Sequence, residues 1–390
     1  MAEYIEITGG FPLKGSVRVS GAKNAALPLL IASLLTSEKC EFSNLPNLLD
    51  VNILTRLLEH FGGQVSHQGN EASIQIPKLI AIEARYSLVK ALRASFWILA
   101  PLLARGGAAR VALPGGDIIG ARPVDMHLEA FAKMGADVVV KHGVVYATAP
   151  QGLHPATINL RFPSVGATHQ ILMAASLING TSVINGAARE PEVVALAEML
   201  SQMGAKIEGA GSSTIRISGC SELGGARVKV IGDRIEAGTY MLAAAVTKGD
   251  IQIDGINAGQ LGQFKDDLQN SGLSIKETED GLHVKASERL RALKIRTSPF
   301  PGFATDMQAP TMAALCTAEG ESTIEENVFE GRFGHVAELC RMGASIKVEE
   351  RVAHISGVDA LNGAPVEGFD IRGAAALVIA ALGADGLNQV

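Results

Sequence analysis

Apolar residues fall along this chain in two alternating helical patterns. In the first, hydrophobic side chains recur on one face: EPEVVALAEMLSQMGA places Val193, Leu196, Leu200 and Met203 at i, i+3, i+7 and i+10, the spacing of an amphipathic helix. Each such pattern ends in a short phrase whose glycine serves as a C-terminal stop. These phrases are FGGQV at Gly62, MGADV at Gly135, MGAKI at Gly204, SGLSI at Gly272 and MGASI at Gly343, at intervals of 73, 69, 68 and 71 residues. After them come SIQI, VYAT, TIRI, LHVK and AHIS, short alternating runs that predict strands.

The second pattern is apolar on nearly every face. GAKNAALPLLIASLL, LRASFWILAPLLA, SVGATHQILMAASLI, EAGTYMLAAAVT, TDMQAPTMAALC and IRGAAALVIAAL lie near residues 23, 93, 166, 238, 306 and 372. They predict helices buried inside a domain. Strands such as SVINGA, DIQIDGI and STIEENV fall between them. The chain therefore reads as an α/β protein made of repeats of about 70 residues. One repeat is a buried helix, a strand, an amphipathic helix and a strand, with an extra strand where room allows. Six buried helices stand against five amphipathic ones, and a sixth MGA-like phrase would fall near residue 413, past Val390. The sixth unit is expected to be incomplete through truncation, and residues 1–390 to be weakened when isolated. Six units of this size predict two bodies of three.

Composition narrows the function. With 47% apolar and 19% charged residues, a disordered chain is excluded. Aromatics are only 4%, with Trp97 the single tryptophan, while glycines number 43; small aliphatic side chains and tight turns must build the core. A net charge of −6 argues against a broad basic surface and a nucleic-acid partner, so any anion site must be a local cluster. The four cysteines form no CxxC pair and the nine histidines no HxxH or HxxxH spacing, so neither a disulfide framework nor a metal site is expected. The N-terminus MAEYIEITGG has no export signal, and the longest apolar run, Ala374 to Ala384, is too short to span a bilayer. A cytoplasmic protein without membrane insertion is expected.

Candidate chemistry sits at the first turns of the buried helices. Lys23-Asn24 opens the first, Arg93 the second, Ser164-Val165-Gly166 the third, Arg234 with Glu236 the fourth, Asp306 the fifth and Arg372 the sixth. Helix N-termini favour anions, so Lys23, Arg93 and Arg372 work against the helix dipole. A solvated cation explains any one of them; three at equivalent positions point to an anion-binding cleft. The loop LPGGDIIGARPVDMH carries Gly115, Gly116, Asp117, Gly120, Arg122 and Asp125. It reads either as a lid bearing a proton-transfer carboxylate or as a surface turn before a helix with Pro123 at N1. Asp306 reads as a first-turn acid behind Thr305 as N-cap, or as a general base among cations. Arg332 begins the fifth amphipathic pattern and is a candidate phosphate ligand. The histidines and Trp97 read as packing or solvated positions.

Nine motifs carry a resemblance along essentially the whole chain: GAKNAALP, LRASFWILAPLLARGG, LPGGDIIGARPVDMH, SVGATHQILMAASLI, AAREPEVV, DRIEAGTY, TDMQAP, VFEGRFGHVAEL and DIRGAAALVIAAL. Together they resemble the UDP-N-acetylglucosamine 1-carboxyvinyltransferases of the enolpyruvyl transferase family. The sister shikimate-pathway enzymes fit less well, since Lys23-Asn24-Ala25-Ala26 replaces their Lys-Ser-x-Ser-Asn-Arg start. The resemblance implies an inside-out α/β barrel of two domains, residues 23–230 and residues 1–22 plus 231–390. It implies transfer of the enolpyruvyl group of phosphoenolpyruvate to the sugar 3-hydroxyl of UDP-N-acetylglucosamine with release of phosphate. This is the first committed step of peptidoglycan synthesis, and it needs no cofactor.

By the same resemblance, Lys23 holds phosphoenolpyruvate and Asn24 hydrogen-bonds the reacting centre. Arg93, the run Arg122, Pro123, Val124, Asp125 and Met126, then Ser164, Val165, Gly166 and Val328 bind the UDP-sugar. Asp306 takes the hydroxyl proton, and Arg122, Arg332 and Arg372 neutralise phosphate and carboxylate. Three departures from the family pattern stand out. Asp117 replaces a cysteine, which implies fosfomycin resistance because a carboxylate is a poor target for that epoxide. Phe162 replaces a frequent lysine on the UDP phosphates. A terminal DRGYE-type segment is missing. Other readings are a non-catalytic nucleotide-sugar-binding paralogue and a related cyclase, though the histidine nucleophile and ATP motif of a cyclase are not seen.

Overall fold

The computed structural model describes residues 4–84, 86, 89, 92–114, 120 and 123–390. It divides into two compact units, one of Ser20–Gly115 and Arg122–Ile231, the other of Met1–Val19, Gly116–Ala121 and Gly232–Val390. Each has its own hydrophobic core.

In the unit of Ser20–Gly115 and Arg122–Ile231, the apolar-all-round segments become helices α1 (Lys23–Ala32), α3 (Leu99–Gly106) and α5 (Val165–Ser176), with a 3-10 turn over Arg93–Ile98 leading into α3. Ala25 to Ala32 of α1 and Ala167 to Ser176 of α5 are buried without a break. Alanine-rich surfaces let these helices approach closely in the interior. The amphipathic patterns become α2 (Leu49–His60), α4 (Asp125–Lys133) and α6 (Pro191–Gln202), each burying one face. At their ends Gly62, Gly135 and Gly204 adopt φ of 100°, 92° and 121°, the left-handed conformation that stops a helix and that glycine alone adopts without strain.

The single strand expected after each amphipathic helix is in fact a hairpin of two. Gln64–Gln68 pairs antiparallel with Glu71–Gln75, Asp137–Lys141 with Val144–Thr148, and Lys206–Glu208 with Thr214–Gly219. The first strand of the opening hairpin, QVSHQ, is exposed at alternate positions and carries a single apolar residue, Val65, so its hydrophobic signal is faint. A further strand then leaves the repeat and joins the next sheet in parallel: Thr157–Asn159 beside Gly180–Asn185, and Arg227–Lys229 beside Cys40–Ser43. The last pairing returns the third repeat to the first, and the parallel bridge of Glu83 to Arg110 joins the first to the second, so the three sheets are linked in a cycle around α1, α3 and α5.

The other unit repeats the scheme with buried α7 (Arg234–Val246), α9 (Gln308–Leu315) and α11 (Ile371–Gly383), and amphipathic α8 (Gln263–Asn270) and α10 (Val336–Arg341). Gly272 and Gly343 end α8 and α10 at φ of 108° and 95°. The sixth repeat is assembled from both ends of the sequence. After α11, Leu387–Gln389 pairs antiparallel with Glu6–Thr8, and Lys14–Arg18 runs parallel to Asp250–Asp254 of the fourth repeat. Residues 6–18 thus supply the counterparts of the second hairpin strand and of the strand that joins the next sheet. The buried Asn388 seals the junction, its Nδ2 donating to the carbonyls of Ile7 at 3.3 Å and Ala381 at 3.4 Å. Among the described residues, nothing occupies the place of the sixth amphipathic helix and the strand after it.

Candidate active site

The unit holding α1, α3 and α5 brings several predicted residues to the starts of its buried helices. Lys23 is the first residue of α1, and its Nζ pairs with Asp50 Oδ2 from the first turn of α2. That carboxylate offsets the cost of a cation at a helix N-terminus. Asn24 follows, half-buried. Arg93 opens the 3-10 turn before α3, and its charge acts on the buried His127 of α4. Ser164 is the N-cap of α5, its Oγ accepting from the Ala167 amide at 3.3 Å. Val165 and Gly166 form the first turn of that helix.

Gly166 has a packing reason to be glycine. A Cβ there would lie 2.9 Å from Trp97 Nε1 and 3.0 Å from His127 Cε1, so the indole and imidazole lie directly against its backbone. Burial and Arg93 push His127 down to about 4; the ring is neutral at pH 7 and can accept from Gln170 Nε2, 3.1 Å from its Nδ1. Gln170 Nε2 also donates to the Phe96 carbonyl at 3.3 Å. His169 lies edge-on to Trp97 and is pushed by burial to about 3. The sequence leaves the histidines as packing or solvated positions; the fold buries His127 and His169 and sets His127 against Gly166.

Asp125 is the first residue of α4. Its Oδ1 accepts from the Met126 amide at 2.8 Å, and its Oδ2 pairs with Arg161, which reaches Glu129 at 3.6 Å through its other amino group. Val124 is the N-cap of α4, so the exposed Pro123 stands before the cap and not at N1 as the sequence suggests. Phe162 is 41% exposed, and its carbonyl accepts from the Ser164 amide at 2.7 Å. Asp117 and Arg122 lie outside the described residues.

In the unit holding α7, α9 and α11, Asp306, Arg332 and Arg372 converge. Asp306 lies in a 3-10 turn, Thr305–Met307, that leads into α9. Its Oδ1 accepts from Arg332 Nη2 at 2.9 Å and from Arg372 Nε at 3.0 Å. Burial alone would raise this carboxyl, but Arg372 and then Arg332 overcome that and hold it well below the usual carboxylate range. Arg372 lies two residues after the N-cap Asp370, whose Oδ1 accepts the amides of Arg372 and Gly373 at 2.9 and 3.1 Å. Arg332 is buried, lies over the Phe329 ring at 5.2 Å, and has an Nε with no hydrogen-bond partner among the described residues.

Two sequence expectations are corrected here. Thr305 is not an N-cap: Ala304 takes that place, and Thr305 Oγ1 bonds side chains instead. Arg332 does not begin an amphipathic helix, because α10 starts only at Val336 and Arg332 sits in the preceding turn. That turn lets its guanidinium fold back towards Asp306. Sequence reading also missed Glu326, a buried acid two residues before Val328; its Oε1 accepts the amides of Val328 at 2.8 Å and Phe329 at 3.1 Å.

The arrangement has clear chemical capacity. One unit presents an ionised carboxylate between two guanidiniums with a buried donor to spare, the other the first turn of α5 against a neutral imidazole and, at the start of α1, a lysine. Such groups suit the binding of carboxylates and phosphates with proton transfer nearby. Among the described residues there is no cluster of His, Cys, Asp and Glu able to hold a metal ion, and no helix long and apolar enough to cross a membrane.

Comparison with known proteins agrees with this architecture. The family model for EPSP synthase (3-phosphoshikimate 1-carboxyvinyltransferase) matches residues 7–390. The UDP-N-acetylglucosamine 1-carboxyvinyltransferase of Beijerinckia indica is 48% identical over 399 aligned positions, covering 100% of this chain and 93% of its own. The enzyme of the same name from Trichlorobacter lovleyi is 48% identical, covering 98% of this chain and 92% of its own. Among solved structures, the enolpyruvyl transferase NikO of Streptomyces tendae superposes with a TM-score of 0.89 at 25% identity, covering 99% of this chain and 92% of its own. EPSP synthase of Acinetobacter baumannii shares the fold at a TM-score of 0.77 and 19% identity, covering 98% of this chain and 93% of its own. With matches of this extent, the chain belongs to the EPSP synthase family of enolpyruvyl transferases and has their inside-out α/β barrel fold.

Proposed function

We propose that this protein transfers the enolpyruvyl group of phosphoenolpyruvate to the 3-hydroxyl of UDP-N-acetylglucosamine, releasing phosphate, as the committing cytoplasmic step of peptidoglycan synthesis. The observation that carries the reading is the Asp306 carboxylate held between Arg332 and Arg372. It occurs in a chain 48% identical along its whole length to proteins of that name. The two compact units are taken as the two domains of the enzyme.

The chemistry follows from the charges. Asp306 accepts the proton of the sugar hydroxyl as that oxygen bonds to C2 of phosphoenolpyruvate, while an acid, assigned to Asp117, protonates the C3 methylene. The product is a tetrahedral ketal. Loss of a proton from the new methyl group, with cleavage of the bond between C2 and the phosphate oxygen, gives the enolpyruvyl ether and inorganic phosphate. A carboxylate held far below its ordinary range is a weak base. An anionic substrate engaging Arg332 and Arg372 competes for their charge and restores basicity to Asp306, so the base is strengthened when substrate is bound.

Lys23 and Arg122 are assigned to the phosphate of phosphoenolpyruvate, Arg332 and Arg372 to its carboxylate and phosphate, and Asn24 to the reacting centre. Arg93, Pro123 to Met126, Ser164 to Gly166 and Val328 are assigned to the nucleotide sugar. Offering the purified chain phosphoenolpyruvate with either UDP-N-acetylglucosamine or shikimate 3-phosphate, and identifying products by mass spectrometry, tests the choice of acceptor. An enolpyruvyl adduct of the nucleotide sugar alone is expected; an adduct of shikimate 3-phosphate would overturn the reading.

A further inference from the structure

Behind Asp306 and Arg332 lies a buried carboxylate that the reaction above leaves unused. Glu326 is 1% exposed, and both its oxygens are engaged. Oε1 accepts from Thr297 Oγ1 at 2.8 Å and from the Val328 and Phe329 amides. Oε2 accepts from Thr305 Oγ1 at 2.8 Å. Because the Thr305 proton points to Glu326, its oxygen lone pairs face the other way, and Arg332 Nη1 donates to them at 2.8 Å. Arg332 then donates its other amino group to Asp306. The order Glu326, Thr305, Arg332, Asp306 is a directional chain in which each group fixes the next.

We propose that Glu326 is a positioning residue for enolpyruvyl transfer, orienting Arg332 through the Thr305 hydroxyl while pinning the backbone that carries Val328. Resting on the transferase reading, this assigns a cause to a costly feature. A buried carboxylate is retained only where its hydrogen bonds compensate for desolvation. Here they reach two elements that must stay in register, the turn before α9 and the segment leading to Arg332. The guanidinium of Arg332 cannot rotate away from Asp306 without breaking its bond to Thr305.

Glu326→Gln separates the two duties. The amide oxygen can keep the contacts to Thr297, Val328 and Phe329, but the NH2 group must donate to Thr305, reversing that bond and competing with Arg332. The expected result is a kcat lower by about 10- to 100-fold, with the KM for UDP-N-acetylglucosamine nearly unchanged and the acid limb of the pH profile moved upward. Glu326→Ala, which also frees the Val328 amide, should raise that KM as well. Thr305→Val should match Glu326→Gln, Thr305→Ser should restore activity, and the double variant should be no worse than either single one. Wild-type kcat in Glu326→Gln, failure of Thr305→Ser to rescue, or multiplicative losses in the double variant would overturn the inference. Carbon-13 titration of the Asp306 carboxyl, assigned with Asp306→Asn, reads the chain without turnover: its pKa should rise in Glu326→Gln. If the wild-type chain proves inactive, the transferase reading fails, while an unchanged Asp306 titration fails the positioning role separately.

Discussion

Asp306→Asn separates the electrostatic and catalytic roles of one carboxylate. In the folded protein Asp306 Oδ1 receives donors from Arg332 and Arg372, whose side chains are 5% and 26% exposed, while Asp306 itself is 29% exposed. Removing one partner of a fully buried ion pair costs about 3–5 kcal/mol. Two of the three groups here are partly solvated, and asparagine retains an oxygen that can accept both donors, which reduces the loss to about 1–2 kcal/mol. In a domain of this size that lowers Tm by roughly 2–8 °C. Inorganic phosphate should restore more stability to the variant than to the wild type, because the two guanidiniums lose their counter-charge. Catalysis should suffer far more than folding, since loss of a general base lowers kcat by about 10²–10⁴-fold. Differential scanning calorimetry with and without phosphate, beside steady-state phosphate release, measures both effects. A variant that keeps more than about a tenth of wild-type kcat would refute the assignment of Asp306 as the base.

Other predictions rest on separate features. His127 and His335 are pushed to about 4 and His169 to about 3 by burial, whereas unfolded histidine titrates near 6.5. Between those values the unfolded chain binds protons that the folded chain does not, so stability should fall as pH drops from about 6.5 towards 4, by on the order of 3 kcal/mol per histidine. Denaturant unfolding at several pH values checks this: His169→Gln should flatten the slope by about one proton, and a level wild-type curve would contradict it. Gly166→Ala must displace Trp97 or His127 and should cost about 1–3 kcal/mol while raising the KM for the nucleotide sugar; calorimetry showing unchanged stability would contradict the close packing. Asp117 should leave turnover intact after incubation with fosfomycin, and stoichiometric inactivation would count against that assignment.

Much of this was legible in the sequence because burial and periodicity are local. Ala25 to Ala32 announce a buried helix, and glycines such as Gly135 and Gly204 stop amphipathic ones where the sequence places them. The first hairpin strands were missed because short, exposed runs such as QVSHQ carry little alternation of hydrophobicity. The part that Glu6–Thr8 takes in the sixth repeat depends on pairing with Leu387–Gln389 across almost the whole chain, which no local pattern can encode. At the site, Lys23, Asp306 and Arg372 stood out by repeat position. Glu326 did not, since STIEENV reads only as a strand. Only folding buries it and turns Thr305 from a supposed helix cap into the bridge to Arg332.

These residues are assigned to moving an enolpyruvyl group onto a nucleotide sugar. Phosphate released from phosphoenolpyruvate by the purified 390-residue chain, with and without UDP-N-acetylglucosamine, tests it most directly. Release that depends on the sugar and is lost in Asp306→Asn is expected. Absence of release with both substrates bound, or release at the same rate without the sugar, would contradict it.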